Sequence, residues 1–310
     1  MNSEHIPVLL NEVIEGLNIK NDGIYVDLTL GRAGHSSEIL KRINKGFLYG
    51  IDQDQEAIEK SYQRLKEIGD NFEIIKSNFI NIKNILQSRN VEYVDGVLMD
   101  LGVSSPQFDE GDRGFSYNFD AKLDMRMDQE NNPLTAEKIV NTYSFNELVR
   151  IFREYGDEKY ASSIASNIIK SRQNRPIQTT FELVEIIKRS KPAKELKKVG
   201  HPAKQVFQAL RIEVNDELNV LRKTLVDILP FLRKGGARIA VITFHSGEDK
   251  IVKKIFQEIS IEVGNRLDLP IKSEEKEYRE VNHKVITASE EELKVNHRSA
   301  SAKLRILERR

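Results

Sequence analysis

Short apolar runs alternate with amphipathic stretches through the first third of the chain. Gly23-Ile-Tyr-Val-Asp-Leu-Thr29, Gly46-Phe-Leu-Tyr-Gly-Ile-Asp52, Phe72-Glu-Ile-Ile75 and Val94–Met99 read as four strands. A helical stretch around Leu9–Leu17 precedes the first. Ser36 or Ser37 is placed to cap a helix carrying Ile39, Leu40 and Ile43; Ala57, Ile58 and Leu65 mark the next, and Ile82, Ile85 and Leu86 a third. Strands and helices alternating at this spacing predict a parallel, doubly wound α/β sheet.

The alternation stops after Pro106, and through residue 205 only helical signals are found. Ser144-Phe-Asn-Glu147 and Thr179-Thr-Phe-Glu182 are capping-box patterns, and Leu148, Ile151 and Phe152 recur at helical spacing. The α/β pattern then resumes. A long helix is expected from about Ala203 to Ile228, and a strand at Arg238–Thr243. A helix at Glu248–Ile259 and strands near Lys284–Thr287 and Ala302–Leu307 follow; Leu267–Glu280 reads as a polar excursion. The expected organisation is one discontinuous α/β domain, residues 1–105 and 206–310, interrupted by an all-helical subdomain at 106–205.

Composition narrows the function. With 310 residues, 39% hydrophobic and 31% charged, the chain has ample core and no apolar run near the ~20 residues of a membrane span. Neither a membrane partner nor a signal peptide is expected, so the cytoplasm is the default location. Cysteine is absent, which excludes disulfides, thiolate metal sites and a cysteine nucleophile. Net charge is zero, yet residues 106–160 hold 7 basic and 12 acidic side chains while 161–204 hold 10 and 3. The second segment is either a solvated helical face or a phosphate-facing surface.

The candidate chemistry gathers at strand ends. Val94–Gln107 runs from a buried strand through Asp100 and Gly102 into Ser104-Ser105-Pro106, where Pro106 ends pairing. Ligands of open α/β sheets bind just beyond the carboxyl ends of strands. Asp27 leads into Gly31-Arg-Ala-Gly34, a turn that brings backbone close to a ligand at a helix start. It is not the Gly-x-Gly-x-x-Gly fingerprint of a pyrophosphate site, which disfavours a nicotinamide oxidoreductase. Asp52 ends the second strand, where a carboxylate can hold ribose hydroxyls, and Phe79 follows the third, where an aromatic ring can pack on adenine. Three carboxylates, Asp27, Asp52 and Asp100, suit a cofactor bearing sulfonium and ammonium charge better than one bearing phosphates. His35, His201 and His245 lack a metal-ligand spacing, and no metal is expected.

These residues match a known family. Gly31-Arg-Ala-Gly-His-Ser36, Ile51-Asp52, Asp100-Leu-Gly-Val-Ser-Ser-Pro-Gln107, Arg113-Gly-Phe-Ser116 and Leu123-Asp-Met-Arg-Met-Asp128 resemble the bacterial small-subunit ribosomal RNA methyltransferase H family. So do His201-Pro-Ala203, Phe207–Ile212, Phe244-His-Ser246 with Glu248-Asp249, and Leu304-Arg-Ile306. The resemblance implies a Rossmann-like S-adenosylmethionine-dependent methyltransferase domain with a helical insertion, acting on N4 of a cytidine in the decoding centre of 16S rRNA. It implies cofactor contacts at Ala33, Gly34, His35, Asp52, Phe79, Asp100 and Gln107. Two positions depart from the pattern. Ala33 stands where the family has glycine, compatible with binding if its φ is negative, and Gly247 stands where leucine is usual.

For such a reaction Asp100 and the Ser105-Pro106 turn are the candidate catalytic elements, with Phe115 or Tyr117 as the stacking aromatic. Whether Asp100 orients the amine or binds cofactor is left open, as is whether Arg113, Asp124 and Arg126 touch substrate or anchor a loop. Lys188–Lys198 becomes a candidate rRNA phosphate contact. The substrate is expected within a folded small subunit rather than as naked rRNA; monomer or homodimer stays open. Methylation at cytosine C5 is disfavoured by the missing cysteine, and a non-catalytic RNA-assembly factor by the intact cofactor rim.

Overall fold

The computed structural model describes residues 6–102, 111–260, 276–282 and 284–310. The chain divides into two compact units, residues 1–102 with 218–310, and residues 103–217.

The first unit opens with helix α1 (Leu10–Leu17), strand β1 (Ile24–Asp27), α2 (Gly34–Leu40), β2 (Phe47–Asp52), α3 (Gln55–Lys66), β3 (Phe72–Lys76), α4 (Ile82–Ser88) and β4 (Gly96–Asp100). The second unit holds α5 (Ala136–Thr142), α6 (Phe145–Glu154), α7 (Ala161–Asn174), α8 (Thr180–Arg189), α9 (Ala193–Leu196) and α10 (Lys204–Asn215). Then come α11 (Glu217–Ile228), β5 (Ala237–Thr243), α12 (Ser246–Ser260), β6 (Tyr278–Glu280), α13 (Glu290–Val295) and β7 (Lys303–Arg309).

Among the described residues seven strands form one sheet in the order β3-β2-β1-β4-β5-β7-β6. β1 to β5 are mutually parallel and β7 is antiparallel to β5. This is the doubly wound α/β sheet expected from the sequence, with an antiparallel strand beside β5. β4 and β5 are almost wholly buried, the consequence of helices on both faces of a parallel sheet. Asp27, Asp52 and Asp100 are each the last residue of their strand, so the strand direction alone brings the three carboxylates to one edge.

The helical unit has its own core of Leu148, Ile151, Phe152, Ile164, Ile168 and Leu183 with their neighbours. Both predicted capping boxes are present: Ser144 with Glu147 at the start of α6, and Thr179 with Glu182 at the start of α8.

Three local expectations are corrected. The helix expected over Ala203–Ile228 is two helices, because Asp216 adopts a left-handed φ of 49° and accepts no continuation of the ladder. Tyr278–Glu280, read as part of a polar excursion, is the edge strand β6, held by Arg279 to Glu308. Around Lys284–Thr287 there is no strand, only a bridge from Ile286 to Leu304.

Candidate active site

The turn after β1 is wired to β2 and β4 through backbone and side chain. Asp27 is buried; its Oδ1 accepts the Thr29 N–H at 3.0 Å and its Oδ2 the Ser36 hydroxyl at 2.7 Å. Thr29 Oγ1 accepts the Asp100 N–H at 2.6 Å, tying the ends of β1 and β4 together. Ser36 and Ser37 therefore do not cap α2. The helix begins at Gly34 with Ala33 as N-cap, and Ser37 Oγ donates back to the Ala33 carbonyl.

Gly31 and Ala33 both have positive φ, 51° and 56°. The condition set for Ala33, a negative φ, is therefore not met. Its methyl group is fully buried in the first unit's core, which offsets part of the cost of a left-handed alanine. Gly34 has no room for a side chain: a Cβ there would meet Pro7 Cγ at 2.5 Å.

Backbone donors hold Asp52, among them Gly31 N to Oδ2 at 2.8 Å and Asp54 N to Oδ1 at 2.9 Å, with Gln53 N–H adding to them. Burial nonetheless pushes its pKa up to about 6, with those N–H groups pulling the other way. The carboxylate keeps acceptor capacity beyond these bonds, so it can also take a hydroxyl. Phe79 opens a short 3₁₀ turn beyond β3, started by Asn78 accepting the Ile80 N–H at 2.9 Å, and its ring is half-buried.

Asp100 is the most perturbed group. Its Oδ1 is enclosed and has no hydrogen-bond partner among the described residues, although the side chain as a whole is 24% exposed. Burial, then the charges of Asp27 and Glu248, raise its pKa to about 8. His35, itself buried, points Nε2 at the Val8 carbonyl at 2.9 Å and Nδ1 at Asp100 Oδ2 at 3.8 Å. An enclosed, unpartnered carboxylate oxygen beside two further acids is a site made for cationic or proton-donating ligands. That fits a sulfonium- and ammonium-bearing cofactor.

Glu248 was not recognised from sequence as part of this electrostatic cluster. It lies in the first turn of α12, and its Oε2 accepts the Phe244 N–H at 2.8 Å and the His245 N–H at 3.3 Å. The signal was available: β5 pairs with β4 in parallel, so a carboxylate just past β5 arrives beside Asp100. Gly247 leaves the helix start intact, since α12 begins at Ser246.

Ser105, Pro106 and Gln107 lie outside the described residues. Phe115 is buried in the helical core and cannot stack a base. One face of Tyr117 is covered by His201, ring centroids 4.2 Å apart at 6°. Arg126 clasps Asp124 at 2.8 Å and two carbonyls, while Arg113 donates to the Arg126 and Met127 carbonyls, so these residues anchor a loop. In the basic segment Lys191 is spoken for, buried against Glu158 at 2.6 Å, whereas Lys194 and Lys197 are exposed.

A family model described as the MraW methylase family matches residues 2–310. Curated relatives include proteins named ribosomal RNA small subunit methyltransferase H. That of Exiguobacterium sibiricum is 54% identical over 308 residues, 99% of this chain and 98% of that protein. That of Mesoplasma florum is 53% identical over 310 residues, 99% of each. That of Spiroplasma kunkelii is 54% identical over 313 residues, 100% of this chain and 99% of that protein. The chain belongs to the MraW methylase family, enzymes that transfer methyl groups from S-adenosylmethionine.

Proposed function

We propose that this enzyme methylates the exocyclic N4 of a cytidine in the decoding centre (P site) of 16S rRNA. The observation that carries the reading is Asp100: a strand-end carboxylate with an enclosed oxygen that has no hydrogen-bond partner among the described residues, and a pKa raised to about 8. Small-subunit rRNA as the substrate is supported by the printed names of relatives above 50% identity. Cytosine N4 follows from the motif resemblance. The lack of cysteine disfavours the alternative carbon, C5, which calls for a thiolate adduct. An rRNA substrate in turn points to the cytoplasm.

In this reading Asp52 holds the ribose hydroxyls, Phe79 packs on the adenine, and the backbone at Ala33, Gly34 and His35 lies along the methionine moiety, with Gln107 a further cofactor contact. S-adenosylmethionine supplies an electrophilic methyl group. The amine of cytosine is conjugated with its ring and is a poor nucleophile. Asp100 accepts an N–H of that amine, localises the lone pair and takes the proton once the new bond forms. Ser105 and Pro106 are assigned to placing the amine in line with the methyl carbon, a placement that contributes much of the acceleration. The helical subdomain, residues 106–205, recognises the RNA, with Lys194 and Lys197 against phosphates.

The test uses small subunits from a strain lacking the modification. They are incubated with the protein and methyl-labelled S-adenosylmethionine, and the digested rRNA is read by nucleoside mass spectrometry. Label in N4-methylcytidine is expected. Label in another nucleoside, or none from a protein that binds the cofactor, would remove the reading; naked rRNA run in parallel separates a wrong nucleoside from a wrong assembly state.

A further inference from the structure

The loop between β1 and α2 is a strained piece of backbone. Gly31 and Ala33 both sit in the left-handed region, and α2 starts without a side-chain cap. Such a loop keeps its shape when its surroundings over-determine it. Two supports come from its own neighbourhood: Asp52 accepts the Gly31 N–H at 2.8 Å, and Ser61 Oγ donates to the Gly31 carbonyl at 2.6 Å. A third comes from the start of the chain. Pro7 packs against Gly34, and the Val8 carbonyl accepts the His35 Nε2–H at 2.9 Å.

That third support is itself strained and tied down from afar. Leu9 has a φ of 52°, a conformation that costs a leucine free energy unless its surroundings hold it. Its side chain is fully buried, and its N–H is accepted by Glu292 Oε1 at 2.8 Å, from 283 residues along the chain. The same Oε1 accepts the Ser299 hydroxyl, and Asn296 Nδ2 donates to the Ile6 carbonyl at 3.1 Å. Glu292 lies on α13 and Asn296 caps its end. The segment carrying them is fastened to β7, where the Ile286 N–H donates to the Leu304 carbonyl at 3.1 Å and the Leu304 N–H donates back at 2.8 Å. Contacts therefore run from β7 through Glu292 and residues 6–9 to Gly34 and His35.

From these contacts we infer that Glu292 is a positioning residue for cofactor binding: through residues 6–9 it holds the loop at Ala33, Gly34 and His35 in the shape that receives S-adenosylmethionine. The inference rests on the assignment of that loop to the cofactor in the reading above. Its physical basis is preorganisation. A loop already in its bound conformation is not ordered at the expense of affinity when the ligand arrives. Releasing Leu9 loosens Val8 and Pro7 with it, since the three are consecutive, and the loop then loses one of its three supports.

Two substitutions at one position separate this role from general damage. Glu292→Ala removes the acceptor that serves both Leu9 and Ser299, whereas Glu292→Gln keeps an oxygen able to take both bonds. Affinity is read by titration calorimetry with S-adenosylmethionine, and loop order by hydrogen–deuterium exchange of residues 30–37 in the cofactor-free protein. Glu292→Ala should raise Kd about 10-fold and speed loop exchange, while Glu292→Gln stays within about 3-fold of wild type in both. Should Glu292→Ala fail to fold, Asn296→Ala, which releases the Ile6 carbonyl, should shift both readouts the same way, with Kd raised about 5-fold. In whichever of the two folds, a Kd changed by less than about 3-fold, or a weakened Kd with loop exchange unchanged, overturns the inference. So does a Glu292→Gln protein as weak as Glu292→Ala.

Arg279→Gln controls for lost stability alone. Its bond to Glu308 lies beside the start of β5, at the opposite end of the strand from the site, and its loss should leave Kd within about 2-fold of wild type. An equal loss of affinity there would assign the effect to stability. The cofactor assignment has its own readout: in wild-type protein S-adenosylmethionine should slow exchange of residues 30–37. Unchanged exchange would remove the loop from the cofactor site. Slowed exchange with normal binding by Glu292→Ala would keep the loop assignment and strike the role of Glu292 alone.

Discussion

At Asp100 a single side chain sets two opposed requirements. A base that is to take a proton near neutral pH needs a raised pKa, and the burial that raises it works against the fold whenever the group is ionised. The sign follows from comparing states. The folded value, about 8, exceeds the ordinary 3.8, so the stability contributed by Asp100 is complete below about pH 4 and is lost as pH rises through 8. Between pH 6 and 8 the cofactor-free protein should lose up to ~1.4 kcal/mol of stability per pH unit from this group, an upper bound given its partial exposure. Urea unfolding at pH 6, 7 and 8 checks this: Asp100→Asn should flatten the slope by about one proton, and parallel slopes would refute the account. Ala33 poses a smaller trade. Ala33→Gly relieves a left-handed alanine, about 1–2 kcal/mol, but gives up a buried methyl worth ~0.8 and loosens the unfolded chain by ~0.4–1. The terms nearly cancel, so denaturant unfolding should show a change below about 1 kcal/mol, which is how the departure from glycine is tolerated.

At the scale of elements, what could be read from sequence was whatever is decided locally. The four leading strands are apolar runs, three of them ended by carboxylates, and both capping boxes fall where their spacing places them. Thr179 accepts the Glu182 N–H while the Glu182 carboxylate accepts the Thr179 N–H at 3.4 Å. Thr179→Ala should therefore cost about 1 kcal/mol, and an unfolding midpoint identical to wild type would show that the box is idle. What sequence missed depends on contacts distant along the chain. β6 is three residues of tyrosine, arginine and glutamate, strand-like only because β7 offers it an edge and Glu308 a partner for Arg279. The break at Asp216 is a backbone conformation that composition does not announce. The same division holds at the site. Asp27, Asp52 and Asp100 were legible as strand ends, whereas Glu248, the Ser36–Asp27 bond and the burial of Phe115 needed the packing. Ser36 was legible as a cap and proved to be a carboxylate's partner, because helix register and not residue type decides which way a hydroxyl turns.

Over the whole molecule, zero net charge conceals a division of labour that a fold-level view would miss. The acid groups at the sheet edge repel phosphate, so an RNA substrate must be gripped elsewhere, and residues 161–204 carry the compensating surplus of ten basic to three acidic side chains. Much of that surplus is already committed: Lys191 to Glu158, Lys188 to Glu185, Lys198 to Glu195 and Arg175 to Glu182. Lys194 and Lys197, exposed beside α9, are the cations best placed to exchange counterions for phosphates. Each phosphate contact contributes about 0.7–0.9 to the slope of log affinity against log salt. Lys194→Glu combined with Lys197→Glu should therefore weaken small-subunit binding and lower that slope by at least ~1.4, with cofactor affinity unchanged. Filter binding across a salt series measures both quantities. An unaltered slope would mean that the basic surplus serves only to solvate the helical unit, and that the RNA is held by shape and hydrogen bonding on some other face.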